Sequence, residues 1–465
     1  MEAIIQEKLN CKRLLRRAEK FIGSEYALAP LALAVIFFHT FGFDLAGFTF
    51  LAAYLLFVFF SKAPIRACLP PLLFLLYIVS LHNGVSSLVP NELDGAFFFR
   101  NAWYLGSLGA VVIAAAVYGM YKRKLKFRVT YGLIGVSIMG ASMVVGGFFS
   151  ENYTVLNLAG GLSFAAYFIV FFIFCAFIAP QVSFDYIAKT VIVSTLIILY
   201  QLTARFLNLG IFQGGSLPKN SVSLGWGISN SIAPMIAIGL PFTAYYMAVC
   251  KRPWFHFIVF CLQMLAIIFC LSRAMIIFAI PAAVALLVWA LLRSRGRERK
   301  QLVAAAAVTA LLGGVILTVF WQQFSGYINF YITAGTSDRG RNVLFSEAIE
   351  AFLQYPFFGA GVAYRLGQMN VGIYLVHNTV LQFMLWSGVF GLLGLLAHLV
   401  FAGMTAFRKP NEQRIFLLIP AALIFLHSIL DIVWFMPTTT LYYMLFLAKA
   451  ESDCIQKTGF GLTKG

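Results

Sequence analysis

The chain reads as an all-α, polytopic transmembrane helical bundle of 12 to 14 spans, with one long extracytoplasmic loop containing short helices. Three observations predict this. Of 465 residues, 61% are hydrophobic and only 11% charged, with a mean hydropathy of +0.88. A soluble fold of that length would lack the polar surface to cover itself. Apolar stretches recur along nearly the whole chain, and Lys and Arg gather in short patches between them. The 48 Phe and 20 Tyr suit lipid-facing helices and interfacial anchoring.

In chain order the apolar segments lie at 26–43, 45–61, 67–82, 101–121, 129–149, 156–180, 186–207 and 229–250. They continue at 254–271, 273–292, 301–321, 377–403, 415–432 and 434–449, the last two readable as half-helices. A span needs about 20 residues, and several segments are shorter. Residues 1–25 are charged and lack the apolar run and small-residue site of a cleavable signal, so the first span is expected to direct insertion. Basic patches occur at Lys12 to Lys20, Lys62 with Arg66, Lys122 to Arg128, Lys251-Arg252, Arg293 to Lys300 and Arg408 to Arg414, and in the tail at Lys457 and Lys464. This is the positive-inside pattern. With the N-terminus inside, counting puts every patch on the cytoplasmic side and the poorly basic loops 83–100, 208–228 and 322–376 outside. The expected organisation is a cytoplasmic segment 1–25, a transmembrane domain 26–449 and a cytoplasmic tail 450–465.

The net charge of +17 has the sign for nucleic acid, but its distribution between apolar segments assigns it to a membrane face, with no nucleic acid partner. The seven cysteines are scattered, with no CxxC pair, so neither a disulfide framework nor a zinc site is expected. No Walker loop or GxGxxG motif is present to hold a nucleotide.

Chemistry concentrates in the outer loop 322–376, which at about 55 residues is too long for a passive connector. It contains Thr336-Ser337-Asp338-Arg339-Gly340-Arg341. A short amphipathic helix is expected to start near Arg341 and to end at Tyr355-Pro356. Asp338 is expected to cap that helix or to pair with Arg339 or Arg341. In Pro356-Phe357-Phe358-Gly359-Ala360-Gly361 the glycines let the backbone approach another group closely. His377-Asn378 then opens a new apolar helix. Arg273, in the junction Leu271-Ser272-Arg273-Ala274, falls on the same face by parity. Ionisable groups at a membrane face are costly, which makes them candidates for function.

These elements together resemble the O-antigen ligase and O-antigen polymerase superfamily of bacterial envelope glycosyltransferases. The resemblance rests on Ser272-Arg273, Arg341, the Pro356 to Gly361 turn, His377-Asn378 and Gly388-Val389-Phe390-Gly391, in that order. Gly227-Ile228-Ser229-Asn230 resembles the family's Asn-bearing start of a helix, and the similar region runs from about 225 to 400. The chain departs from the family at Trp386 and Ser387, where an acidic residue is often found. The resemblance implies an enzyme of the bacterial inner membrane; the parity count puts both termini on the cytoplasmic side, no metal is required if arginines carry the charge, and no cofactor is expected. The donor would be a glycan on polyprenyl pyrophosphate, the acceptor a glycan or lipid-linked sugar hydroxyl. Ligases and polymerases share this donor and differ in acceptor.

Such chemistry suits the residues. Arginines grip phosphate oxygens bidentately and stay charged, a role assigned to Arg273 and Arg341, with Arg339 as third or substitute. His377 is of the right type for a general base. Asn378, Gly359, Gly361 and Asn230 are candidate substrate contacts, as are Tyr364 and Arg365, which otherwise belong to an ordinary loop. The structural alternatives are a helix-end His377 and a snorkelling Arg273.

Two other constellations carry less. Glu92-Leu93-Asp94 in the loop 83–100 could hold a divalent metal in a different kind of glycosyltransferase. His427 and Asp431, four apart, read as a pair on one helix face, structural or proton-relaying. The competing functions are a lipid-linked oligosaccharide flippase or other transporter, and a non-catalytic scaffold. A flippase should carry charges inside its spans, which are nearly charge-free here, and a scaffold has no need of two arginines and a histidine on one face.

Overall fold

The structure is a computed structural model that describes residues 2–81, 95–125, 129–150, 154–209, 222–319, 321, 325, 341–364, 376–408 and 411–458. Among the described residues it is all-α apart from an antiparallel hairpin of two two-residue strands, β1 (Ser223–Leu224) and β2 (Gly227–Ile228). Among the described residues eight helices are long and apolar enough to cross a membrane, or nine with one bent pair. Two shorter apolar helices, Asp44–Phe60 and Pro253–Phe269, accompany them. The expected 67–82 segment is corrected: it is no single helix. Pro70 and Pro71 lie in a five-residue helix, Leu69–Leu73, followed by a 3₁₀ turn at Leu75–Ile78. Both prolines sit in the first turn, where their missing amide hydrogens bar a helical run from continuing into Leu69–Leu73 from the preceding residues.

The chain forms two compact units. The first comprises Met1–Lys126 and Gln181–Ile232. It contains α1 (Glu2–Ile22), α2 (Leu28–Phe41), α3 (Asp44–Phe60), α4 (Leu69–Leu73), α5 (Gly95–Arg100), α6 (Ala102–Lys122) and α9 (Phe184–Asn208). The buried Asp44 carboxylate accepts from the Ser80 amide at 3.0 Å and the Ser80 hydroxyl at 3.1 Å. Gln201 donates to the Tyr77 carbonyl and accepts from the Trp226 indole. These bonds satisfy polar groups where the helical pieces end, as burial requires.

The second unit comprises Phe127–Pro180 and Ala233–Gly465. It holds α7 (Tyr131–Phe149), α8 (Val155–Ile178), α11 (Gly239–Val249), α12 (Pro253–Phe269), α13 (Arg273–Arg293) and α14 (Gly296–Val319). After these come α15 (Arg341–Gln354), α16 (Thr379–Phe407), α17 (Glu412–Leu430) and α18 (Pro437–Thr458). Helix α10 (Ser229–Ala237) runs across the division between the units. Small residues set the close packing of α7. Gly135 and Gly146 leave room for the backbones of His398 and Ser387 on α16, and Gly147 meets the Asn157 carbonyl of α8. Without a water-driven force between spans, such close approach is a main source of helix association.

Past α17 the chain makes a buried 3₁₀ turn, Val433–Phe435. Trp434 packs against Phe168 and Phe383, and Phe435 against Phe164 and Trp386. The Ser428 hydroxyl accepts the Trp434 amide at 3.0 Å. This aromatic anchor settles where α17 stops, and so where Asp431 stands.

Candidate active site

Three helix N-termini of the second unit meet the last turn of α17. The first is α13, whose N-cap Ser272 is buried and bonded through its hydroxyl to Nε2 of His427 at 3.3 Å. Arg273 follows as the first residue of α13, half-buried. The second is α15, which begins at Arg341 and ends at Gln354, as its sequence pattern predicts. An Nη atom of Arg341 donates to the Leu430 carbonyl at 3.3 Å, and its other Nη lies 3.9 Å from Asp431. The third is α16. Its N-cap Asn378 accepts the Leu381 amide at 3.0 Å, and the preceding His377 reaches Asp431.

Asp431 is the residue that joins them. His427 and Asp431 were expected as a pair on one helix face, and this is corrected: α17 ends at Leu430, and Asp431 is extended, with φ −157° and ψ −171°. Its carboxylate turns to His377, with 3.0 Å between Oδ1 and Nδ1, and also accepts the Ile432 amide at 2.8 Å. Burial pushes the Asp431 carboxyl up, but the bond to His377, the neighbouring His377 and His427 rings, and the Ile432 amide together bring it down to about 2. It is therefore ionised near neutrality. An ionised carboxylate can only accept, so Nδ1 of His377 carries the hydrogen and donates. In the neutral ring Nε2 then holds the free lone pair. The His377 side chain is 39% exposed and Asp431 5%.

The local backbone is built for this presentation. His377 has φ +55°, a left-handed conformation rare outside glycine. It is held on both sides: the Val376 amide donates to the buried Gln382 side chain at 2.8 Å, and Asn378 caps α16. Leu271, just before Ser272-Arg273, is left-handed as well, with φ +56°. Strain of this kind persists only where surrounding contacts over-determine it, and it collects at functional sites. Arg273 and Arg341 each stand at a helix N-terminus, where the dipole disfavours a cation. Their placement adds nothing to helix stability. It does bring guanidinium charge to the positive end of a helix, an arrangement suited to an anion.

The glycine turn meets protein. Gly359, with φ +75°, lies where a Cβ would come within 2.6–2.7 Å of the Ser387 and Gly388 amides and the Leu385 carbonyl. Gly388 breaks the helical geometry of α16, with φ 59° and ψ −146°. Across that kink the Ala360 amide donates to Leu385 and the Val389 amide to Pro356, both at 2.8 Å. Gly361 abuts the Asn157 side chain, whose oxygen accepts the Ala363 amide at 2.6 Å. The turn thus ties α15 to α16 and α8.

The other expected residues fall as follows. Tyr364 is half-buried with its ring 6.2 Å from that of Tyr355, and burial with Tyr355 and Glu347 pushes its phenol up. Asn230 is the second residue of α10 and belongs to the first unit. Arg339, Arg365, Asp338, Glu92 and Asp94 lie outside the described residues. Trp386 and Ser387 are buried packing residues, against Phe164 and Gly146. The carboxylate that faces His377 is that of Asp431. Sequence reasoning missed its link to His377, although the same parity count that places His377 outside also brings the end of segment 415–432 to that face. It also missed His427 beside Ser272, and Asn157 at the turn.

Residues 256–396 match the family described as O-antigen ligase. No curated protein matches the chain. The matched region spans Arg273, Arg341, His377 and the kink at Gly388, and stops short of Asp431.

Proposed function

We propose that this multi-pass membrane protein of the O-antigen ligase superfamily, an enzyme of the ligase or polymerase type, moves a glycan from a polyprenyl pyrophosphate to an acceptor sugar hydroxyl at the extracytoplasmic face. The acceptor oxygen attacks the anomeric carbon, the bond from that carbon to the pyrophosphate oxygen breaks, and the hydroxyl proton passes to Nε2 of His377. Polyprenyl pyrophosphate leaves with the bonding pair. Arg341 and Arg273 bind its oxygens and stabilise the charge that builds there. Because guanidinium charge performs that task, the reaction needs no metal. Asp431 keeps the ring hydrogen on Nδ1 and stabilises the imidazolium that forms.

The supporting observation is the shared carboxylate: Asp431 lies between His377, at 3.0 Å, and Arg341, at 3.9 Å. One group thereby sets the base beside the anion-binding arginine. The test is glycan transfer by purified His377→Ala in lipid, with donor binding measured beside it. Turnover should fall by roughly 10²–10⁴-fold, the scale of a lost general base, while the lipid-linked donor still binds. Near-normal transfer would leave His377 a helix-end residue and the mechanism without its base.

A further inference from the structure

Helix α1 stands apart from the proposed chemistry. Its last eleven residues read Lys-Arg-Leu-Leu-Arg-Arg-Ala-Glu-Lys-Phe-Ile, from Lys12 to Ile22. At 3.6 residues per turn, Leu14, Leu15, Ala18, Phe21 and Ile22 occupy one arc of about 120°. Lys12, Arg13, Arg16, Arg17 and Lys20 occupy the opposite side. Most of the apolar arc is uncovered by the protein: Leu14 is 64% exposed, Phe21 50% and Leu15 47%, while Ala18 and Ile22 are half-buried. Five cations in eleven residues make this segment too costly to span a bilayer.

Its direction is set by a constructed elbow. The segment Lys12–Ile22 is bent by 81° from Glu25–Phe41, which carries the first apolar helix. At the bend, Arg66 donates from Nε and an Nη atom to the Gly23 carbonyl, at 3.1 and 2.9 Å, while its guanidinium lies over the Tyr186 ring. Glu19 accepts the Lys62 amide at 2.8 Å, and the Ser24 hydroxyl closes the turn on the Phe21 carbonyl at 2.6 Å. Gly23 faces Pro64 so closely that any side chain there would collide with the ring. The angle is thus held by bonds from a separate loop. Where the first apolar helix runs along the membrane normal, a helix bent from it by 81° lies close to the membrane plane.

We propose that α1 is an interfacial helix that seats Leu14, Leu15, Ala18, Phe21 and Ile22 among lipid chains and binds anionic phospholipid headgroups through Lys12, Arg13, Arg16, Arg17 and Lys20. The occupant is the bilayer surface itself. An apolar face fits the acyl boundary, a basic face fits anionic headgroups, and the elbow fits the plane in which both are found. The proposal is independent of the glycosyl-transfer reading.

The test uses the full chain with its native cysteines replaced, reconstituted in phosphatidylcholine vesicles with or without phosphatidylglycerol. A nitroxide is attached at Leu14→Cys or at Arg16→Cys, and relaxation is measured with oxygen, which partitions into lipid, and with a water-soluble nickel chelate. In anionic vesicles the label at 14 should be reached by oxygen and shielded from nickel, and the label at 16 the reverse. With Lys12, Arg13 and Arg17 all changed to Gln, or with phosphatidylcholine alone, the label at 14 should become more accessible to nickel. Nickel reaching both labels equally in anionic vesicles would overturn the proposal, because α1 would then stand in water. A label at 14 shielded from both reagents would overturn it too, since protein would cover that face. Equal lipid exposure in neutral and anionic vesicles would remove the headgroup recognition.

Discussion

Asp431→Asn separates orientation from charge within the proposed site. The amide keeps the shape of the carboxylate, and its oxygen can still accept the Ile432 amide and the Nδ1 hydrogen of His377, now made at 2.8 and 3.0 Å. What disappears is the negative charge that stabilises an imidazolium. Two unit charges about 4 Å apart interact by about 4 kcal/mol at an effective dielectric constant of about 20. The His377 side chain is 39% exposed, so solvent screening reduces this toward about 2 kcal/mol. At 1.36 kcal/mol per decade, turnover should fall by roughly 30- to 1,000-fold. Donor binding should hold or tighten, because Arg341 loses the carboxylate 3.9 Å away and is left to the pyrophosphate. The assay is glycan transfer by the purified variant in lipid, with the dependence on donor concentration used to divide kcat from KM. A variant that folds and transfers glycan at the parent's rate would refute the reasoning, since Asp431 would then be a structural cap alone. Weaker donor binding with unchanged turnover would refute it as well.

Three further outcomes are expected. Arg341→Ala and Arg273→Ala should each weaken donor binding as well as turnover, and Arg341→Lys should restore only part, because a point charge does not replace a bidentate fork; binding titrations with the lipid-linked donor decide this. Gly388→Ala places a Cβ 2.5–2.6 Å from the Phe357 and Pro356 carbonyls in a backbone conformation nearly confined to glycine. It should destabilise the protein by about 3 kcal/mol or more, read as a lower thermal unfolding midpoint or failure to accumulate, and an unchanged midpoint would contradict the docked turn. Transfer should persist in excess chelator, because the arginines supply the positive charge; loss on chelation with rescue by magnesium or manganese would shift attention to Glu92 and Asp94.

Composition and local pattern decided the class, the helical periodicity and the residues worth watching. The ends of α15 were legible because Tyr355-Pro356 is a local stop, and the start of α16 because Asn378 caps it through a bond three residues away. Ser272 precedes α13 without a side-chain capping bond, and its hydroxyl goes instead to His427, 155 residues away. The 67–82 segment misled because hydropathy reports apolar character and not the breaks at Phe74 and Val79, where the helical hydrogen bonding ends. The assembly of the site depends on contacts that no local signal carries. His377 and Asp431 are 54 residues apart, and Asp431 faces His377 only because buried Trp434 and Phe435 stop α17 one residue before it. Asn157 holds the glycine turn from 206 residues away. The sharp angle of α1 comes from Arg66, on another loop, gripping the Gly23 carbonyl. Hydrogen-bond direction and helix termination are decided by which groups burial brings together, and only the folded chain specifies that.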